Sequence, residues 1–212
     1  MEALENWLDR VYDAGGDRNL LDKLYDEWAH DYDQQIWASG NPYISICASL
    51  FARHVPSNEA IILDAGCGTG NMAQVLYQTG YKFIDGLDPS FGMLEIARKK
   101  EVYRDLYPLF LASTIDIADE SYDAIVAAGV LTHGHAPPES LDGLLRVMKP
   151  KAVMVFSLSE IAYREFEFGD KMDDLEKTGQ WQKVDQSRLF KTYPFSEKEA
   201  SLRHWVFTYQ KA

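Results

Sequence analysis

Two short stretches carry side chains whose types and spacing suit chemistry. The first, ILDAGCGTG at residues 62–70, places Gly66, Gly68 and Gly70 between an apolar run and a helical pattern. Glycines at such a junction let backbone approach a ligand closely at a helix N-terminus. About twenty residues on, Asp88 ends a second apolar run, where a carboxylate accepts hydrogen bonds from ribose hydroxyls. The second stretch, THGH at 132–135, sets His133 and His135 two positions apart. A metal needs at least a third ligand. Glu27 and His30 stand three apart on a helical segment, but no cysteine completes a recognisable set, so no metal is expected. Imidazole titrates near neutrality and suits general-base work. His133, nearer the preceding strand, is the first candidate and His135 the second, with substrate orientation and loop packing as alternatives.

The glycine spacing bears on the nucleoside. A dinucleotide fingerprint reads G-x-G-x-x-G, its third glycine allowing close packing beside a pyrophosphate. Here the spacing is G-x-G-x-G, and Asn71 stands where that third glycine belongs. Asp64 lies two residues before the first glycine, where it suits an ammonium group and repels a pyrophosphate. The ligand expected is a nucleoside carrying a cationic amino acid. Cys67 is small enough to sit between glycines, and nothing nearby supplies a base to make it a nucleophile.

The elements that must position these residues follow from periodicity. Helices are expected over 2–13, 19–35 and 43–54; Leu21, Leu24, Tyr25, Trp28 and Tyr32 share one face of the second, and Pro42 precedes the third. From residue 60, apolar strands alternate with helices. Strands are expected at 60–66, 81–88, 107–112, 122–130 and 152–159, with helices at 71–80, 90–100 and 137–149. That alternation indicates a parallel sheet covered on both faces. A helix at 170–179 then leads to strands around 182–191 and 202–210, an antiparallel finish to the sheet. The expected fold is α/β and Rossmann-like: a mostly parallel seven-stranded sheet with an antiparallel last strand and helices on both faces. The expected organisation is an N-terminal helical cap over residues 1–58 and an α/β core over 59–212, compact as one domain.

The 212 residues carry 21 Lys and Arg against 33 Asp and Glu, a net charge of −12. A nucleic-acid binder needs cations to neutralise phosphates, and the one basic cluster, ARKK at 97–100, reads as a helix end complementing its dipole. A neutral or cationic small molecule is the easier partner for that charge. The acidic N-terminal stretch is unlike a signal peptide, and no apolar run approaches the roughly 20 residues that span a bilayer. With Cys47 and Cys67 offering no disulfide framework, a cytoplasmic protein with no nucleic-acid or membrane partner is expected. Nothing in the composition bears on oligomeric state.

Taken together, ILDAGCGTG, Asp88 in GLDPSFGML, ESYDAIVAAGVL and LLRVMKP resemble the class I S-adenosylmethionine-dependent methyltransferases, in that family's order and spacing over roughly residues 60–160. The upstream LYDEWAHDYDQQI and THGH resemble the Williams–Beuren-region methyltransferase-like proteins in particular. The resemblance implies S-adenosylmethionine as cofactor and S-adenosylhomocysteine as product. It sets backbone around Gly66 and Gly68 against the methionine part, counts Gly70 among the cofactor-binding residues, and places Asp64 near the amino group and Asp88 on the ribose. Pro89 and Met93 flank the adenine, and Ala128 and Gly129 line the path to the sulfonium. Tyr25, Trp28 and Tyr32 close over the cofactor or, as an aromatic stripe, belong to core. Two departures stand out. Leu111, Ala112 and Ser113 replace the acid that meets the adenine amino group in many relatives, leaving backbone, Ser113 or Thr114 for that task. KPKA at 149–152 replaces the usual KPGG turn and needs a different backbone path.

Methyl transfer from a sulfonium depends mainly on holding the nucleophile in line and close, and a base is needed only where the acceptor must first lose a proton. The acceptor is expected over the C-terminal ends of the strands. It would lie beside His133 and His135, the aromatic segment with Tyr163, Arg164, Phe166 and Phe168, the N-terminal helices, and Tyr193. The segment YREFEF at 163–168 alternates and reads equally as a strand-like edge. A small-molecule methyltransferase is the leading reading. A cofactor-binding module without catalysis, a protein methyltransferase and, last, a nicotinamide dehydrogenase remain beside it.

Overall fold

Short apolar runs separated by helical patterns fold here as one mixed sheet. The computed structural model describes residues 3–132 and 134–212; His133 lies outside them. Three helices come first: α1 (Leu4–Asp13), α2 (Arg18–Ala38) and α3 (Tyr43–His54). Then follow β1 (Ile61–Ala65), α4 (Asn71–Gln78), β2 (Phe83–Leu87), α5 (Phe91–Lys99), β3 (Leu106–Tyr107), β4 (Tyr122–Ala127), α6 (Ser140–Val147) and β5 (Met148–Ser159). The chain ends with α7 (Glu160–Glu165), α8 (Phe168–Lys177), β6 (Trp181–Gln186), β7 (Phe190–Lys191) and β8 (Arg203–Lys211).

The sheet order is β3-β2-β1-β4-β5-β8-β6, with β7 pairing β8 off that path. Pairings from β3 to β5 are parallel, whereas β8 runs antiparallel to both β5 and β6. The inner strands are buried on both faces, as continuous apolar runs require. Leu63, Ala65, Ile125, Ala127, Met154 and Phe156 face a core shared with α6 and α8. The alternating Ile62, Ile84, Ala124, Val126, Val153 and Val155 face α3 and α4. A third cluster packs α1 and α2 together around Trp7, Leu8, Leu21, Leu24 and Trp28. Asp17 caps α2 by accepting from the Leu20 N–H at 3.1 Å. No helix among the described residues is long and apolar enough to cross a membrane.

Four local expectations are corrected. The strand expected at 107–112 ends at Tyr107, because Pro108 has no N–H to donate; the ladder runs instead through Asp105, with Gly86 N donating to its carbonyl at 2.9 Å. The single strand expected at 182–191 splits into β6 and β7, since Ser187 accepts the Val206 N–H on its hydroxyl at 2.8 Å and displaces a ladder bond. That split adds an eighth strand to the seven expected. YREFEF is helical over its first half and forms no strand; it spans the end of α7 and the start of α8, where Phe168 is buried beneath the sheet's aromatic residues. In the KPKA segment, Lys151 adopts φ 65°, taking the left-handed backbone that a glycine would ordinarily supply.

Candidate functional site

The cleft lies over the C-terminal ends of β1, β2 and β4, with α2 across it. Gly66 and Gly68 have φ of 70° and 51°. The Gly66 and Cys67 N–H groups both donate to the Leu87 carbonyl, at 2.7 and 2.9 Å, which ties the loop to the end of β2. A side chain at Gly66 would overlap Val130, whereas a Cβ on Gly68 meets no atom within 4 Å. Gly68 therefore presents open backbone to the cleft, a cradle that any side chain would fill. Gly70 differs: it packs under the Tyr103 ring, outside the cleft lining. The Cys67 thiol is pushed up by burial and stays protonated.

Asp88 accepts from Gly68 N at 2.9 Å on one oxygen and from Ser90 N at 3.0 Å on the other. A carboxylate offers about four acceptor positions, so both oxygens keep capacity for a vicinal pair of hydroxyls. Burial raises its pKa to about 6. Pro89 and Met93 line the same cleft of about 770 Å³, together with Leu111, Ala128 and Gly129. Phe110 and Arg18 complete this end, the guanidinium 5.4 Å from the ring centroid. Ala112 and Ser113 do not line the cleft. The Ala112 carbonyl packs against Gly143 of α6, and Phe110 and Leu111, the two residues directly before it, line the cleft instead.

Asp64 is 1% exposed and borders a smaller recess beyond the glycine loop, with Tyr32 and Tyr43 opposite. Tyr103 donates to it at 2.8 Å, yet burial still raises its pKa to about 7. A carboxylate so placed is costly without a cation, and an ammonium in the recess would offset that cost. Open Gly68, Asp88 with spare acceptor capacity and Asp64 facing a recess thus fit S-adenosylmethionine in this orientation.

Two acids that the periodicity left unassigned fasten α2 over the cleft. Asp26 accepts from Ser90 Oγ at 2.6 Å and Gly92 N at 2.8 Å, at the start of α5. Gly92 permits this contact, since a Cβ there would lie 2.8 Å from the Asp26 Cα. Asp33 accepts from Thr69 Oγ1 at 2.5 Å, Asn71 Nδ2 at 2.7 Å and Lys100 Nζ at 2.8 Å. The two acids stand seven residues apart, hence on one helix face, and grip both elements that carry the cofactor residues. Asp33→Ala is expected to weaken cofactor binding roughly tenfold by releasing charge-assisted bonds. Calorimetric titration with S-adenosylhomocysteine measures that loss, and faster amide exchange in α2 should accompany it.

Tyr25 and Tyr32 line the cleft, whereas Trp28, 1% exposed, does not. Its indole stacks on Trp7 at 5.6 Å and donates to Gln35 at 2.7 Å, and it borders a second cavity of about 1190 Å³. That cavity shares Tyr25, Tyr32, Gly129 and His135 with the first. His135 is bracketed there: its Nε2 lies 2.7 Å from Tyr25 Oη, and its Nδ1 lies 2.6 Å from Thr132 Oγ1. One neutral tautomer lets Nδ1–H donate to Thr132 while Nε2 accepts from Tyr25. Burial raises the Tyr25 pKa, so its phenol stays protonated. Phe166 and Tyr193 also line this cavity; Tyr163 packs on Trp205 and Phe207 instead, and Arg164 pairs with Glu160. Glu27 is engaged by Arg10 at 2.6 Å. Among the described residues no group of three or more His, Cys, Asp or Glu is placed to hold a metal.

The chain is similar to known methyltransferases. Residues 63–156 match a family model described as a methyltransferase domain. The chain is 32% identical over 182 residues to methyltransferase-like protein 27 of Homo sapiens, covering 82% of this chain and 74% of that protein. It is 31% identical to a demethylmenaquinone methyltransferase of Clavibacter sepedonicus over 60% of this chain, which spans about half (53%) of that protein's length. In fold it is similar to a TehB-like SAM-dependent methyltransferase from Corynebacterium glutamicum, with a TM-score of 0.63 at 23% identity over 89% of this chain and 98% of that one.

Proposed function

We propose that this chain, which belongs to the class I S-adenosylmethionine-dependent methyltransferases, methylates a small molecule seated in the tyrosine-lined cavity beside the cofactor cleft. The observation that carries this reading is the shared wall: Tyr25, Tyr32, Gly129 and His135 border both spaces, so donor and acceptor meet there. Leu8, Val11 and Tyr12 of α1 cover one side of the cavity, and Tyr193 and Leu202 another. Such concave, aromatic-walled spaces suit small ligands. The reducing cytosolic setting read from Cys47 and Cys67 belongs to the same proposal.

S-adenosylmethionine, when bound, supplies a methyl group already activated on sulfur. The chain's own task is to bind, orient and exclude water. Asp88 holds the ribose, Asp64 the ammonium, and backbone at Gly66 and Gly68 gives the close approach. Gly129 N donates to Ser157 Oγ at 2.7 Å, fixing the end of β4 at the junction of the two spaces. An acceptor held in line gains most of its acceleration from proximity. His135 receives the acceptor's proton where one must leave, through Tyr25 or directly, and Thr132 orients the ring.

Incubation with methyl-labelled S-adenosylmethionine and a cell extract, separated afterwards into metabolite and protein fractions, tests the assignment. Label is expected among the metabolites. Label confined to protein, with none in the small-molecule fraction, would overturn it.

A further inference from the structure

The second cavity has a one-sided chemistry. Its wall includes five tyrosines, all uncharged: burial raises the pKa of Tyr25, Tyr32, Tyr43 and Tyr193, and Tyr12, 53% exposed, is raised by partial burial and by the Glu199 carboxylate beside it. Among the described residues lining it there is one carboxylate, Glu199, and no Lys or Arg. His204 adds no charge: burial lowers its pKa to about 4, and Thr192 Oγ1 lies 2.6 Å from its Nδ1. Tyr12 donates to Glu199 at 3.3 Å. Tyr12 and Glu199 line this cavity and not the cofactor cleft, so they stand outside the wall that the two spaces share.

The position of Glu199 is built into the fold. Ser196 donates to Glu5 at 2.9 Å, Lys198 pairs with Asp9, and the Glu199 N–H donates to Ser196 Oγ at 3.2 Å. These bonds hold the 196–199 segment against α1, leaving the Glu199 carboxylate beside the Tyr12 phenol. An anionic acceptor would leave its hydration for a wall with no described cation, at high cost. A cation meets π faces and a carboxylate instead.

We infer that the acceptor carries a protonated amine, seated against Glu199 and Tyr12 outside the shared wall, while the atom to be methylated lies at that wall beside Tyr25 and His135. This rests on the small-molecule reading above and narrows it to organic cations. An aromatic or alkyl body between these two groups would lie against the tyrosine walls, and Glu199 becomes the residue that selects for charge.

Calorimetric titration in the presence of S-adenosylhomocysteine tests the idea with three probes of similar shape: 2-phenylethylamine, 2-phenylethanol and 3-phenylpropanoate. The amine is expected to bind about tenfold more tightly than the carboxylate. Glu199→Gln should weaken the amine about tenfold and leave the alcohol within about twofold, while Glu199→Asp retains the preference. Unchanged S-adenosylhomocysteine affinity in each variant reports an intact fold. The inference is overturned if the carboxylate binds as tightly as the amine, or if Glu199→Gln leaves amine binding intact; the small-molecule reading survives both results. If none of the three binds while methyl label passes to protein, the small-molecule reading itself falls and takes the inference with it.

Discussion

Asp88→Ala is expected to lower affinity for S-adenosylhomocysteine by about 100-fold or more, since each hydrogen bond to a charged acceptor contributes about 1.5–3 kcal/mol and two hydroxyls are lost. The same change strips the Gly68 and Ser90 N–H groups of their acceptor, at 2.9 and 3.0 Å in the intact site, so the glycine loop keeps only its bonds to the Leu87 carbonyl as an anchor at this strand end. Asp88→Asn keeps the shape and one oxygen and should fall between. Affinity should also depend on pH with a definite sign. Asp64 and Asp88 titrate near 7 and 6 because burial disfavours their charged forms. The ligand's ammonium and hydroxyl donors favour those charged forms, so binding weakens as pH falls through that window, and Asp88→Ala loses the step near 6. Folding responds in the opposite sense. With both pKa values raised above those of the unfolded chain, the unliganded protein loses stability as pH rises from about 4 to 7. Ligand-induced gain in Tm should therefore be larger at pH 8 than at pH 5.5. An Asp88→Ala variant with wild-type affinity would remove this residue from the site.

How far the site was legible depended on whether its signal was local. Gly66, Gly68, Asp88 and Met93 sit at fixed offsets from a strand end, and all four line the cleft, whereas Gly70 does not. The outline of the sheet was legible for the same reason: runs such as IILDA and DAIVA are apolar on both faces. Residues that reach the site from elsewhere in the chain left weaker traces. Asp26 and Asp33 read as solvated charges on an amphipathic helix until α5 and the α4 turn are set beside them. Their seven-residue spacing, shared by Tyr25 and Tyr32, was the available signal. Trp28 shows the limit of periodicity: it shares the face of those tyrosines, but it stacks on Trp7 and borders the second cavity, not the cleft. Phe110 was hidden because Pro108 ends β3 early, so that Phe110 and Leu111, and not Ala112 and Ser113, line the cleft. Tyr43, at the start of α3, borders both the recess beside Asp64 and the second cavity; nothing local distinguishes it from core.

Removing the imidazole at position 135 should separate chemistry from binding. His135→Ala is expected to lower kcat by roughly 100-fold, within the range for loss of a general base, while S-adenosylhomocysteine affinity, carried mainly by Asp64 and Asp88, changes little. Tyr25→Phe keeps the ring that lines both spaces but deletes the hydroxyl 2.7 Å from Nε2. A loss of about tenfold in kcat with KM nearly unchanged would mark that hydroxyl as a link acting in the transition state. A pH profile then distinguishes proton transfer from packing. With the base present, the rate levels off once the imidazole is neutral; without it, the rate keeps climbing as hydroxide takes over. A purely structural histidine would lower both profiles in parallel. Thr132→Val supplies a further check, because it removes the partner 2.6 Å from Nδ1 that selects the tautomer with Nε2 free to accept. It should lower kcat without altering the shape of the profile. His133→Ala completes the set: a larger loss there than at His135, with the same change in profile, would move the proton-accepting role to His133 and leave His135 and Tyr25 as the wall that aims the acceptor.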